Sequence, residues 1–193
     1  RRWPHETGIS LPVAACAIDS GYESQAVYEF CRTRYHRRIF AVKGKGGPLP
    51  VWQRKPTAKN IRGEKPWIVG TDTAKETIYG RLRNPTPGSP GYAHFPADRE
   101  EAYFEQLLGE VLVTTYAKGQ PKREWRPKPG VRQEALDARV YAYAALRALV
   151  SMGLSLDNEA DRILAANRPR PVPEDDTDRA RWLGDRGRKW LTR

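Results

Sequence analysis

The sequence predicts an α/β domain. Short apolar runs at residues 11–19, 39–43 and 67–70 are too brief to be helices, yet they alternate with segments whose apolar residues recur at helical spacing. An alanine-rich stretch at residues 133–152 closes the series and carries the clearest helical period in the chain. With 193 residues there is room for one domain with its own core and an extension. The domain is placed at residues 1–153 and the extension at 154–193.

The elements follow in order. The run at 11–19 reads as a buried strand ending in Asp19, Ser20 and Gly21, a turn signal that puts the Asp19 carboxylate at the strand's C-terminal end. A helix over 23–34 presents Ala26, Val27, Phe30 and Cys31, and residues 39–43 and 67–70 supply two more strands. Thr73 and Glu76 have capping-box spacing for a helix over 73–82. After a Pro/Gly-rich loop at 84–91, residues 92–95 read as a short strand and 99–108 as a helix. Residues 110–119 and 122–127 form an antiparallel hairpin by their β-branched content and the turn at Gly119. The long helix over 133–152 bears Leu136, Val140, Tyr143, Leu146 and Val150 as its apolar stripe, and a short helix near 157–166 leads into a Pro-rich linker at 168–176. Beyond it lies a basic tail containing Trp182 and Trp190.

Charge narrows the function classes. Lys and Arg number 34 against 23 Asp and Glu, a net charge of +11, which favours a polyanionic partner. Nearly all the surplus falls in residues 32–65, where eleven basic side chains, Arg32 to Lys65, face Glu64 alone. The part from Lys43 to Lys65 has neither helical nor alternating period and reads as a long basic loop. No apolar stretch approaches the roughly 20 residues of a membrane span. Cys16 and Cys31 read as buried free thiols, since two cysteines build neither a disulfide framework nor a zinc site. A P-loop and a dinucleotide-binding glycine motif are both missing from the chain.

Cutting a phosphodiester with metal ions needs converging carboxylates. Asp19 is one candidate, at a strand end where α/β sheets build sites. Asp137 is another, with Glu134 one turn before it on the same helix, and Asp72 is a weaker third. Each acid also has a plain structural reading, as a turn former or a helix-dipole partner. Lys43, Lys45, Arg54, Lys55, Lys75, Arg123 and Arg126 are the candidate contacts to a DNA backbone. His94 reads more readily as a packing residue than as a ligand.

The order of several segments carries a resemblance. I-D-S-G at 18–21, A-V-K-G at 41–44, V-G-T-D-T-A-K-E at 69–76, G-Y-A-H-F-P at 91–96, E-Q-L-L-G-E at 105–110 and E-A-L-D at 134–137 stand in the order and spacing of one family. Over residues 11–152 the sequence resembles the nuclease domain of the large terminase subunit of tailed phages, in the lambda-like branch. The resemblance implies an RNase H-like fold, a mixed sheet flanked by helices, that binds Mg²⁺ or Mn²⁺, two ions in the complete domain, and cuts concatemeric viral DNA during genome packaging. It makes Asp19 the second acid of the metal cluster and Asp137 the acid of the last helix. The family's first acid lies on an opening strand with no counterpart here, so one ligand is expected to be missing and the fragment to cut poorly.

The resemblance further implies double-stranded DNA as substrate, a small terminase subunit and a capsid portal as partners, and the host cytoplasm as location. ATP belongs to an ATPase domain that this chain does not contain. Two rivals stand beside this reading: a non-catalytic module that binds DNA and docks on the portal, and an RNase H-like resolvase or transposase.

Overall fold

The computed structural model describes residues 2–53, 66–117 and 119–166, apart from the side chain of Ala117. The described residues divide into two compact units, residues 12–155 and residues 2–11 with 156–166. In chain order the elements are β1 (Arg2–Pro4), β2 (Ser10–Pro12), β3 (Cys16–Asp19), α1 (Ser24–Arg32), β4 (Ile39–Lys45), β5 (Trp67–Gly70), α2 (Thr71–Leu82), α3 (Glu101–Leu107), β6 (Glu110–Ala117), β7 (Gln120–Pro127), α4 (Glu134–Ser151) and α5 (Leu156–Ala166). Among the described residues no helix is long and apolar enough to cross a membrane.

The larger unit is built on a parallel sheet ordered β3-β4-β5. Cys16 to Asp19 pair with Ile39 to Val42, and Val42 to Lys45 pair with Trp67 to Gly70. Such a sheet is covered by helices, which is why its strands are short apolar runs without alternation. Phe40, Val42 and Val69 are fully buried together with Leu107 of α3 and Leu136 and Val140 of α4. Burial of each such side chain stabilises the fold by about 1.5–3 kcal/mol. The antiparallel ribbon β6–β7 runs from Glu110 opposite Pro127 to Ala117 opposite Gln120 and forms its own two-stranded sheet. The expected single mixed sheet is thus two sheets, because the ribbon does not hydrogen-bond to the parallel strands. In the smaller unit, β1 pairs with β2 and α5 carries an ion pair between Arg162 and Glu159.

Several local expectations are corrected. Residues 92–95 form no strand; Phe95 instead packs edge-on against Tyr103 and Phe104, so aromatic burial replaces a ladder. The run at 11–19 is split between β2 and β3. The capping box at Thr73 does not form, because α2 begins at Thr71 directly after β5 and the Thr73 hydroxyl donates to the Leu49 carbonyl, 2.7 Å away. On α4 the buried stripe is Leu136, Val140, Ala144 and Ala148, leaving Tyr143, Leu146 and Val150 half-buried. Alanines let the helix lie close to its neighbours, and that close approach decides which face turns inward. Phe30 is exposed on α1, whose buried residues are Tyr28 and Cys31. Cys16 is only half-buried, and both thiols are free.

The basic loop does not begin where its charge does. Residues 43–45 still belong to β4, and Val51 and Trp52 enter the core, where Trp52 stacks on Trp67 with ring centroids 4.6 Å apart. Arg54 and Lys55, with the rest of the loop to Lys65, lie outside the described residues, as do the Pro-rich linker and the tail with Trp182 and Trp190.

Candidate functional site

The site lies at the C-terminal ends of the parallel strands, where the chain leaves the sheet and helices approach it. Ser20 fixes the end of β3: it is buried, and both its N–H and its hydroxyl donate to the Val42 carbonyl at 2.8 Å. Asp19, just before it, is exposed and accepts the Gly21 N–H at 3.1 Å, the turn-forming bond that its sequence context predicts.

Helix α4, which packs against β3, brings the second group. Asp137 lies in its first turn, and Tyr141 follows one turn later on the same face. The Tyr141 hydroxyl lies against Gly44, within electrostatic reach of the Asp19 and Asp137 carboxylates. Burial, then the charges of Asp19 and Asp137, push its pKa far above the ordinary tyrosine range, so it stays a neutral phenol. Gly44 is a packing requirement here, because a Cβ would sit 3.0 Å from the Tyr141 oxygen and 2.9 Å from Thr71 Cγ2.

Asp137 is exposed on the helix, yet neighbouring protein withdraws part of its hydration. That desolvation is the main cause of a raised pKa; the Lys75 ammonium opposes it, and Glu110, Glu134 and Asp19 add to it. Three carboxylates and one ammonium therefore act on Asp137 at once.

Glu110 is the group that the sequence reading missed. It heads β6, and its carboxylate is held by the Lys75 Nζ at 2.7 and 2.8 Å, with the two side chains 9% and 11% exposed. The Tyr79 hydroxyl donates to its backbone carbonyl at 2.8 Å. A signal was available: Glu110 ends the E-Q-L-L-G-E stretch and is the lone charge before a β-branched run.

The remaining candidates are placed as follows. Lys75, read from sequence as a DNA contact, has its ammonium committed to Glu110 instead. Asp72 accepts the Gly47 N–H at 2.8 Å, closes the glycine turn after β4, and is not among the charges acting on Asp137. Glu134 is exposed and pairs with Arg132 at 3.0 Å. Lys43 and Lys45 are exposed at the end of β4. On β7, Arg126 bonds Glu124 through Nε at 2.6 Å and lowers that carboxyl's pKa, while Arg123 stands 4.0 Å from Glu76. His94 packs edge-on against Tyr92.

Among the described residues, no three His, Cys, Asp or Glu side chains gather as a metal cage. The donor chemistry nevertheless fits a hard divalent cation. Asp19 and Asp137 are oxygen donors whose charges act on one another, a repulsion that a cation would relieve, with water or phosphate completing its shell.

The chain matches a family model described as the terminase large subunit gpA endonuclease domain over residues 1–156. It belongs to that family. The terminase large subunit of Enterobacteria phage P21 is 36% identical over 161 residues, and that of Escherichia phage lambda is 34% identical over 163. Each alignment covers 78% of this chain and 24% of the relative, so the chain spans about a quarter of the length of these terminases. No solved structure matches. As a terminase nuclease domain, the chain has the α/β architecture expected of it, and the family match contains Asp19, Lys75, Glu110, Asp137 and Tyr141.

Proposed function

We propose that this terminase domain is a metal-dependent endonuclease of RNase H-like fold that cuts concatemeric double-stranded DNA in the host cytoplasm during phage genome packaging. The reading is supported by the charges of Asp19, from a strand end, and Asp137, from a helix start, both acting on Tyr141. Asp19 and Asp137 would hold Mg²⁺ or Mn²⁺, which when bound supplies an activated water and charge stabilisation at the leaving oxygen. Tyr141, held in its neutral form, adds no charge between the two carboxylates. Glu110 holds the Lys75 ammonium beside Asp137, where it favours the ionised carboxylate needed for cation binding.

Exposed Lys43 and Lys45 lie next to this face, and Arg54 and Lys55 follow in sequence. Together with Arg123 and Arg126 they would track the phosphate backbone without reading bases. In the whole terminase, the small subunit and the capsid portal are the proposed partners.

The test is plasmid nicking with Mn²⁺ by the domain with its upstream sequence restored, comparing wild type with Asp19→Asn and Asp137→Asn. Each substitution is expected to lower the rate by at least a hundredfold, on the order of the several kcal/mol that charge stabilisation supplies. Full activity in both variants would falsify the assignment. Nicking that survives complete chelation would remove the metal from it.

A further inference from the structure

Behind the nuclease face lies a second recess that the proposed cleavage does not use. Arg139, Ala142, Tyr143 and Leu146 follow the i, i+3, i+4, i+7 pattern and so share one face of α4. Arg139 is two residues beyond Asp137, about 200° around the helix, so this face points away from Asp137 and Tyr141. Together with Ile78 and Arg81 of α2, these residues line a half-open cavity of about 240 Å³. Ile78 is buried, and the lining is mainly apolar.

The two arginines give the recess its chemistry. The Arg81 guanidinium lies 4.9 Å from the ring centre of Tyr143, and that of Arg139 lies 4.6 Å from the ring centre of Phe95. Phe95 is itself held edge-on by Phe104 at 5.2 Å. An aromatic ring covers one flat face of each guanidinium and leaves the in-plane N–H groups, the fork that binds a carboxylate, directed outward. Among the described residues no carboxylate pairs with either arginine.

A cavity of this volume is below the usual range for a drug-sized ligand and suits one apolar side chain. A duplex backbone supplies phosphates but no apolar side group to fill it, and a duplex held at Asp19 and Asp137 lies on the other side of α4. We propose that this recess docks a protein partner through a short acidic segment, in which a leucine or phenylalanine enters the cavity and flanking Asp or Glu side chains engage Arg81 and Arg139. The surface is therefore a protein-docking site, separate from the DNA-cutting face.

The probe is the fluorescein-labelled peptide Asp-Glu-Leu-Phe-Glu-Asp, titrated by anisotropy against the full 193-residue chain. Two control peptides replace the acids by Asn and Gln, or Leu-Phe by Gly-Gly. The acidic apolar peptide is expected to bind at least tenfold more tightly than either control. Arg81→Gln and Arg139→Gln should each weaken it about tenfold, the loss of one charge-assisted fork. Lys122→Gln, an exposed cation on β7, should leave it unchanged. A 20-base-pair duplex should not displace the peptide from the recess. Absence of binding, equal binding of the controls, or unchanged affinity in both arginine variants overturns the proposal, and displacement by duplex reassigns the arginines to DNA. Should an arginine variant fail to fold, the two control peptides on the wild-type chain decide the matter alone.

Discussion

The Lys75–Glu110 pair makes the sharpest prediction. Each side chain is about a tenth exposed, and the ammonium sits within 2.8 Å of both carboxylate oxygens. Lys75→Met keeps the bulk of the stem and removes the charge, leaving a carboxylate shielded from water with no cation beside it. Breaking a buried pair in this way destabilises a protein by about 3–5 kcal/mol, a large part of the roughly 5–15 kcal/mol that holds a domain folded. The double variant Lys75→Met/Glu110→Leu removes both charges and is expected to return to within about 1 kcal/mol of wild type, because the desolvation cost of the pair disappears with its attraction. Urea unfolding followed by tryptophan fluorescence measures all three proteins. A single variant within about 1 kcal/mol of wild type, or a double variant as unstable as the single, refutes the reasoning.

Asp137→Asn is expected to abolish nicking yet stabilise the metal-free domain at neutral pH. Its carboxyl has a raised folded-state pKa, so the folded state binds the proton more tightly and stability falls as pH rises through that raised value. The gain stays under about 1 kcal/mol because solvent screens the exposed carboxylate, and it should vanish as pH drops below the unfolded carboxylate range; a thermal melt series with chelator shows either pattern. Gly70→Ala would place a Cβ 2.3 Å from the Leu49 carbonyl oxygen and 2.6 Å from that of Pro50, so a loss of about 3 kcal/mol is expected in the same urea assay. Replacing Lys43 and Lys45 by glutamine should flatten the salt dependence of duplex binding by roughly 0.9 in log–log slope per lost phosphate contact, and an unaltered slope would remove these lysines from the interface.

The sequence and the structure diverge at particular residues. β5, α1 and α4 were legible because their apolar spacing and flanking turn residues agree, and Asp19 stood out because a carboxylate ends an apolar strand. Asp137 was visible on its helix, but its field was not: Glu110 and Lys75 reach it from β6 and α2, and no local period reports a contact across that separation. Tyr141 carries no sequence signal of its own in an alanine-rich helix, and only the fold sets its hydroxyl within reach of the charges of Asp19 and Asp137. Val51 and Trp52 were hidden by the surrounding Gly, Pro and Lys, which give a loop signal whether or not two side chains turn inward. Residues 92–95 misled because alternating aromatic and small residues fit an extended segment equally well when it joins no sheet.

The stacked indoles of Trp52 and Trp67 clasp together two points of the chain that are fifteen positions apart in sequence. With both points held at a fixed spacing, lengthening the sequence that joins them costs only about 0.6 kcal/mol per doubling.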